Sequence, residues 1–141
     1  MTTITLEQAN TVSAAAFTKG KELGLKPLAV AVVDAGGHLI SYQRQDGASI
    51  GRLQIASGKA CGALFLGVSS RTVAEMAAER PTFVAAAANA APQGLIPAPG
   101  GVIVVDGEGA VMGAIGISGD TSDNDEACAL AGIAEAGLLA K

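Results

Sequence analysis

Residues 29–44, AVAVVDAGGHLISYQR, decide how this chain is to be read. A run of alanine and β-branched valine leads into Asp-Ala-Gly-Gly, and a second apolar run leads out. Apolar runs on either side of a glycine-rich break are the pattern of a β-hairpin, here predicted with strands near 28–34 and 37–44. The pattern returns at residues 101–119, GVIVVDGEGAVMGAIGISG, with its turn at DGEG. Two such hairpins are an internal echo rather than a repeat array.

Around the hairpins the sequence is helical. Thr5 and Gln8 have the spacing of a capping box, and Leu6, Ala9, Val12, Ala16 and Leu23 form a stripe near helical period that Gly24 ends. Residues 48–80 predict two alanine-rich helices. The first stops near Gly67; the second is capped by Ser69 or Ser70 and stops before Pro81. A short third helix follows in TFVAAAANA. The segment PQGLIPAPGG, with three prolines and three glycines, predicts a loop. The last stretch, SDNDEACALAGIAEAGLLAK, predicts a helix with Ser122 as N-cap, acidic residues in the first turn and Lys141 at the far end. Hairpin-linked strands make an antiparallel sheet whose apolar faces need helices over them. The fold expected is α+β, one domain over residues 1–141, a sheet of two hairpins flanked by helices.

Composition narrows the function. Half of the 141 residues are hydrophobic, and only 16% are charged, against roughly 25% in an ordinary soluble domain. A chain this small has much surface to cover, so burial of one face in a homo-oligomer is expected. The nine basic residues form no cluster, which argues against nucleic acid. No apolar run reaches the roughly 18 residues of a membrane helix. The opening MTTITLEQAN has no leader pattern, and Cys61 and Cys128 are too few for a disulfide framework, so a cytoplasmic protein with reduced thiols is expected.

Few residues are left to carry chemistry. His38 is the only histidine, and no HxH, HxxxH or HExxH pattern surrounds it. A zinc site would have to borrow distant ligands, whereas heme iron needs only one or two from the protein. The plain alternative is an exposed turn residue. Arg44 and Asp46, two apart on an extended chain, either bind a substrate carboxylate or form a surface ion pair. Lys59 lies in an apolar helix, where a lysine either acts as a buried amine or snorkels outward. Asp120, Asp123, Asp125 and Glu126 read as helix-capping charge in preference to a cation site. Gly100 and Gly101, after a stiff proline loop, let a backbone or a flat ligand come close. A phosphate loop and a nucleophile elbow are both missing.

Four motifs in order carry a resemblance that spans the chain from about Thr5 to Lys141. They are VVDAGGHLISYQRQDGA, GKACGA, IPAPGGVIVVDGEGAVMGAIGISG and DEACALAG. Together they closely resemble the GlcG/HbpS family, heme-binding or heme-degrading-like domains related to the C-terminal domain of PduO-type proteins. The resemblance implies an antiparallel sheet between helices in a profilin-like or PAS-like layout, and a homo-oligomer, octamer or tetramer. It also implies a small-ligand pocket near the first hairpin, the PAPGG loop (Gly100, Gly101) and the last helix. Heme is the cofactor it points to, with His38 as the metal ligand and Arg44 on a propionate. The rival reading is an enzyme of tautomerase, hydratase or hydrolase type, in which Arg44 anchors a small carboxylate or carbonyl compound and His38 or Asp46 moves a proton. A third is an assembly protein whose glycines serve packing alone.

Overall fold

The computed structural model describes residues 2–141. Helix α1 (Leu6–Glu22) is followed by the hairpin β1 (Ala29–Asp34) and β2 (Leu39–Arg44). Helices α2 (Arg52–Leu66), α3 (Ser70–Glu79) and α4 (Pro81–Ala90) lead through a loop to the second hairpin, β3 (Gly101–Val105) and β4 (Val111–Ser118). Helix α5 (Ser122–Glu135) and a short β5 (Leu139–Ala140) complete the chain. The five strands form one open antiparallel sheet in the order β2-β1-β4-β3-β5. The α+β reading and both hairpins are borne out. Among the described residues no helix is long and apolar enough to cross a membrane.

Alternation along the strands sends two different surfaces to the two faces. Val30, Val32, Val102, Val104, Ile115 and Ile117 pack on one side against the Ala9, Val12 and Ala16 stripe of α1 and Cys128, Ala129 and Ile133 of α5. This is the larger core. Leu6 and Leu23, expected in the α1 stripe, are exposed. Ala16 and Gly20 carry the buried face to the end of the helix instead, and Leu28 occupies the space beside Gly20.

The other face is nearly bare of side chains at its centre. Ala31, Gly116 and Gly101 lie side by side across β1, β4 and β3. The main chain of α2 sits directly on them. A β-carbon on Gly116 would stand 1.9 Å from the Ala56 carbonyl oxygen, and one on Gly101 would stand 2.2 Å from that of Lys59. The helix can come this close because its own contact residues are also small: Ala56, Ala60 and Ala63 are fully buried.

Several boundaries differ from expectation for local reasons. β2 starts at Leu39 because Gly37, at φ 83°, belongs to the turn. Thr121, not Ser122, caps α5, its side chain accepting the Asn124 N–H. The last helix stops at Glu135; Gly137, at φ 70°, turns the chain so that Leu139 and Ala140 pair with Val105 and Val104. Lys141 therefore lies beyond β5, and its Nζ donates to the Gly67 carbonyl at 2.8 Å.

The contact of α2 with the sheet gives a direct test. Gly116→Ala is expected to lose about 3 kcal/mol of stability in urea unfolding, since the neighbour is backbone and cannot rotate away. Gly107→Ala, where no atom lies within 4 Å, is expected to stay within about 0.5 kcal/mol of wild type.

Candidate functional site

The β1–β2 turn is organised by one side chain. Asp34 Oδ1 accepts the backbone N–H of Gly36 at 2.9 Å and of His38 at 3.0 Å, while the Asp34 carbonyl accepts the Gly37 N–H at 3.0 Å. These bonds hold the Asp34 carboxyl below its usual range, the His38 N–H being the largest cause. From below, the Cys61 thiol donates to the Gly37 carbonyl at 3.3 Å and Gln93 Nε2 donates to that of Gly36 at 3.4 Å. Burial pushes the Cys61 thiol up, so it stays a protonated donor. The His38 side chain is 74% exposed, with Nδ1 3.3 Å from Asp34 Oδ1. Among the described residues its Nε2 has no hydrogen-bond partner.

Arg44 and Asp46 lie elsewhere. They line an open depression of about 510 Å³ with Lys21, Leu25, Pro27 and Gln45. The strand ends at Arg44, and among the described residues Arg44 and Asp46 make no ion pair with each other. Six residues of extended chain put His38 and Arg44 about 20 Å apart, at opposite ends of β2.

Gly100 and Gly101 face α2. Gly101 N–H donates to Ser70 Oγ at 2.6 Å, and the space a β-carbon on Gly100 would need holds the Ile117 carbonyl oxygen and Lys59 Nζ. The close approach that the glycines permit is thus taken by the chain's own helix.

The side-chain cluster that the sequence reading missed lies here. Lys59 does not snorkel out: its side chain is 3% exposed and that of Asp125 is 1% exposed, with Nζ 3.0 Å from Oδ2. Nζ also donates to the Ile117 carbonyl at 2.9 Å, and Asp125 Oδ1 accepts the Asp120 N–H at 3.0 Å. Burial raises the Asp125 carboxyl above its ordinary value, against the pull of the Asp120 N–H and the Lys59 ammonium. The other acidic residues are engaged too. Arg71 bonds Asp123 and Glu126, and Asp120 accepts from Lys26 N–H, Thr121 N–H and Asn124 Nδ2. Among the described residues no three His, Cys, Asp or Glu side chains gather as a metal site. A fourth feature is a mainly apolar groove of about 510 Å³ between β2, α2 and the loop before β3, lined by Leu39, Leu53, Ser57, Gln93 and Ile96.

The family described as haem degrading protein HbpS-like matches residues 4–134. The chain belongs to the HbpS-like family. Solved structures agree. HbpS itself is 31% identical, with a TM-score of 0.81 over 95% of this chain and 90% of that one. The Klebsiella pneumoniae protein ORFY is 28% identical, with a TM-score of 0.86 over 97% and 92%. PduOC, solved as a heme complex, shares the fold of this HbpS-like chain at 20% identity, with a TM-score of 0.85 over 97% of each. No curated protein sequence matches the chain.

Two outcomes follow for the α5 end of this HbpS-like protein. Lys59→Met leaves the Asp125 carboxylate buried without its cation and is expected to cost about 3–5 kcal/mol in chemical unfolding, most of it regained in Lys59→Met/Asp125→Leu. Asp120 is held down to about 2, first by Asn124, then by the N–H groups of Lys26 and Thr121. The stability it contributes is present above its ordinary value of 3.8 and is lost as pH falls through about 2. Unfolding followed from about pH 4 to pH 2 is therefore expected to show a shallower fall in Asp120→Asn than in wild type.

Proposed function

We propose that this HbpS-like protein binds heme as a homo-oligomer in the cytoplasm, with His38 Nε2 as an iron ligand. The observation that carries the reading is the state of the imidazole in a chain whose family is named for haem. The ring projects from the hairpin tip, one nitrogen beside a carboxylate and the other without a partner among the described residues. An imidazole nitrogen so placed suits iron, and heme needs no larger set of protein ligands. When bound, heme supplies an iron centre whose reactivity its axial ligand and surroundings tune.

The rest of the site is built from more than one copy. An imidazole so exposed offers iron a bond and no walls. Arg44 is about 20 Å along the strand, a span that the two side chains and a porphyrin together can bridge, and its guanidinium pairs with a propionate of heme held by its own chain or by a second copy. Assembly is supported by the scarcity of charge and by exposed apolar side chains, among them Leu39, Phe65, Phe83 and Ile50, the last 86% exposed. An octamer or tetramer is the expected form. The PAPGG glycines then contribute through the shape of the loop, since α2 fills the space beside them.

A second reading rests on the depression beside Arg44 and Asp46, where Lys21 adds a second cation. It is an enzyme site for a small carboxylate, in which Arg44 anchors the anion and Asp46 takes a proton.

Hemin titration of wild type and His38→Ala, followed by absorbance and size-exclusion chromatography, separates the two. The expected result is a saturable Soret shift in wild type, at one site per subunit or fewer, lost in the variant while assembly is kept. Indistinguishable titrations remove His38 as ligand and move the search to turnover of small carboxylates, with Arg44→Ala as the inactive control.

A further inference from the structure

We propose that Asp34 is the positioning residue for His38: its carboxylate holds the imidazole in the Nδ1–H form, so that Nε2 carries the lone pair offered to a ligand. This deepens the heme reading and rests on it for the identity of the ligand, though not for the state of the ring.

The geometry concentrates on one oxygen. Asp34 Oδ1 accepts the N–H groups of Gly36 and His38 and also lies 3.3 Å from His38 Nδ1. An ionised carboxylate is acceptor only, and a neutral imidazole has one donor and one acceptor nitrogen. The contact falls short of hydrogen-bond geometry, yet at 3.3 Å a lone pair on Nδ1 would face a carboxylate oxygen, so the proton belongs on Nδ1.

The ring is confined as well as paired. It lies back over Gly36, where a β-carbon would stand 2.9 Å from Cε1 and 3.0 Å from Nδ1. Gly37, at φ 83°, makes the turn that brings His38 back toward Asp34. The groups that support the turn from the protein side, Cys61 and Gln93, donate to the carbonyls of Gly37 and Gly36 and make no hydrogen bond to the ring. Asp34 is thus the group that addresses the imidazole. A carboxylate behind a ligating histidine fixes its orientation and raises its basicity, and loss of such a partner lowers metal affinity by about 10- to 100-fold.

The test uses Asp34→Asn in the full chain. Asparagine keeps an oxygen that can accept the Gly36 and His38 N–H groups, so the turn survives while the charge is removed. Because the protein has a single histidine, its imidazole nitrogens give one unambiguous pair of ¹⁵N resonances. These are read without ligand at about pH 8.5, where an ordinary imidazole is neutral. The expected result is a dominant Nδ1–H form in wild type that moves toward Nε2–H in Asp34→Asn, with backbone amide shifts beyond the turn unchanged. Hemin affinity of the variant is expected to fall about tenfold. Identical imidazole resonances in the two proteins overturn the proposal. So does a changed tautomer with unchanged hemin affinity, where His38→Ala abolishes binding. If His38→Ala binds hemin as wild type does, the heme reading fails, and a tautomer change in ligand-free Asp34→Asn still supports the role of Asp34.

Discussion

The main chain of α2 rests on the sheet without intervening side chains, and much of the rest of the molecule is arranged around that contact. It needs Gly101 and Gly116 on the strands and a run of small residues on the helix. Once the helix is that low, Lys59 has no route to solvent through the face it occupies. Its side chain runs instead past the Ile117 carbonyl, at the end of β4, to Asp125 in the first turns of α5. The pair thereby joins the helix on one face of the sheet to a helix on the other. Burying two charges costs several kcal/mol per ion before their attraction is counted, so the pair is better understood as fixing how the layers sit than as a net source of stability.

Much of this architecture was legible in the sequence because it is local. The hairpins announce themselves by apolar runs around DAGG and DGEG, α1 by its Thr5–Gln8 box, and α3 by Ser69 and Pro81. What was not legible depends on partners distant in the chain. Leu139 and Ala140 look like the tail of an alanine-rich helix until the edge of β3 is there to pair with them. Lys59 looks like any lysine on a helix until the depth of that helix is known. The signal that could have found it was its company: Gly58, Ala60, Cys61 and Gly62 leave no bulky neighbour to lift it clear of the sheet.

The candidate site divides the same way. That His38 stands alone, on a tight turn, is plain from the sequence, and so is an aspartate four residues before it. That Asp34 bonds two N–H groups and lies beside the ring is a matter of turn conformation, which Asp-x-Gly-Gly suggests and only coordinates can show. Distances across elements were out of reach. Arg44 is near His38 in the motif VVDAGGHLISYQRQDGA, but the extended strand between them puts them at opposite ends of β2. Gly100 and Gly101 are equally ambiguous as letters, since a glycine that admits a helix and one that admits a ligand look the same.

The first hairpin also guards one edge of the sheet. β2 is an edge strand, yet its pairing with β1 shifts register between Val32 and Val33, leaving Ile40 as an extra residue in the ladder. Such a bulge bends and twists the strand that carries it. A second β2 laid alongside would find matched donors and acceptors only over the stretch from Ser41 to Arg44, too short a ladder to nucleate a continuous ribbon. Growth of the sheet by addition of a further strand is therefore discouraged at this edge.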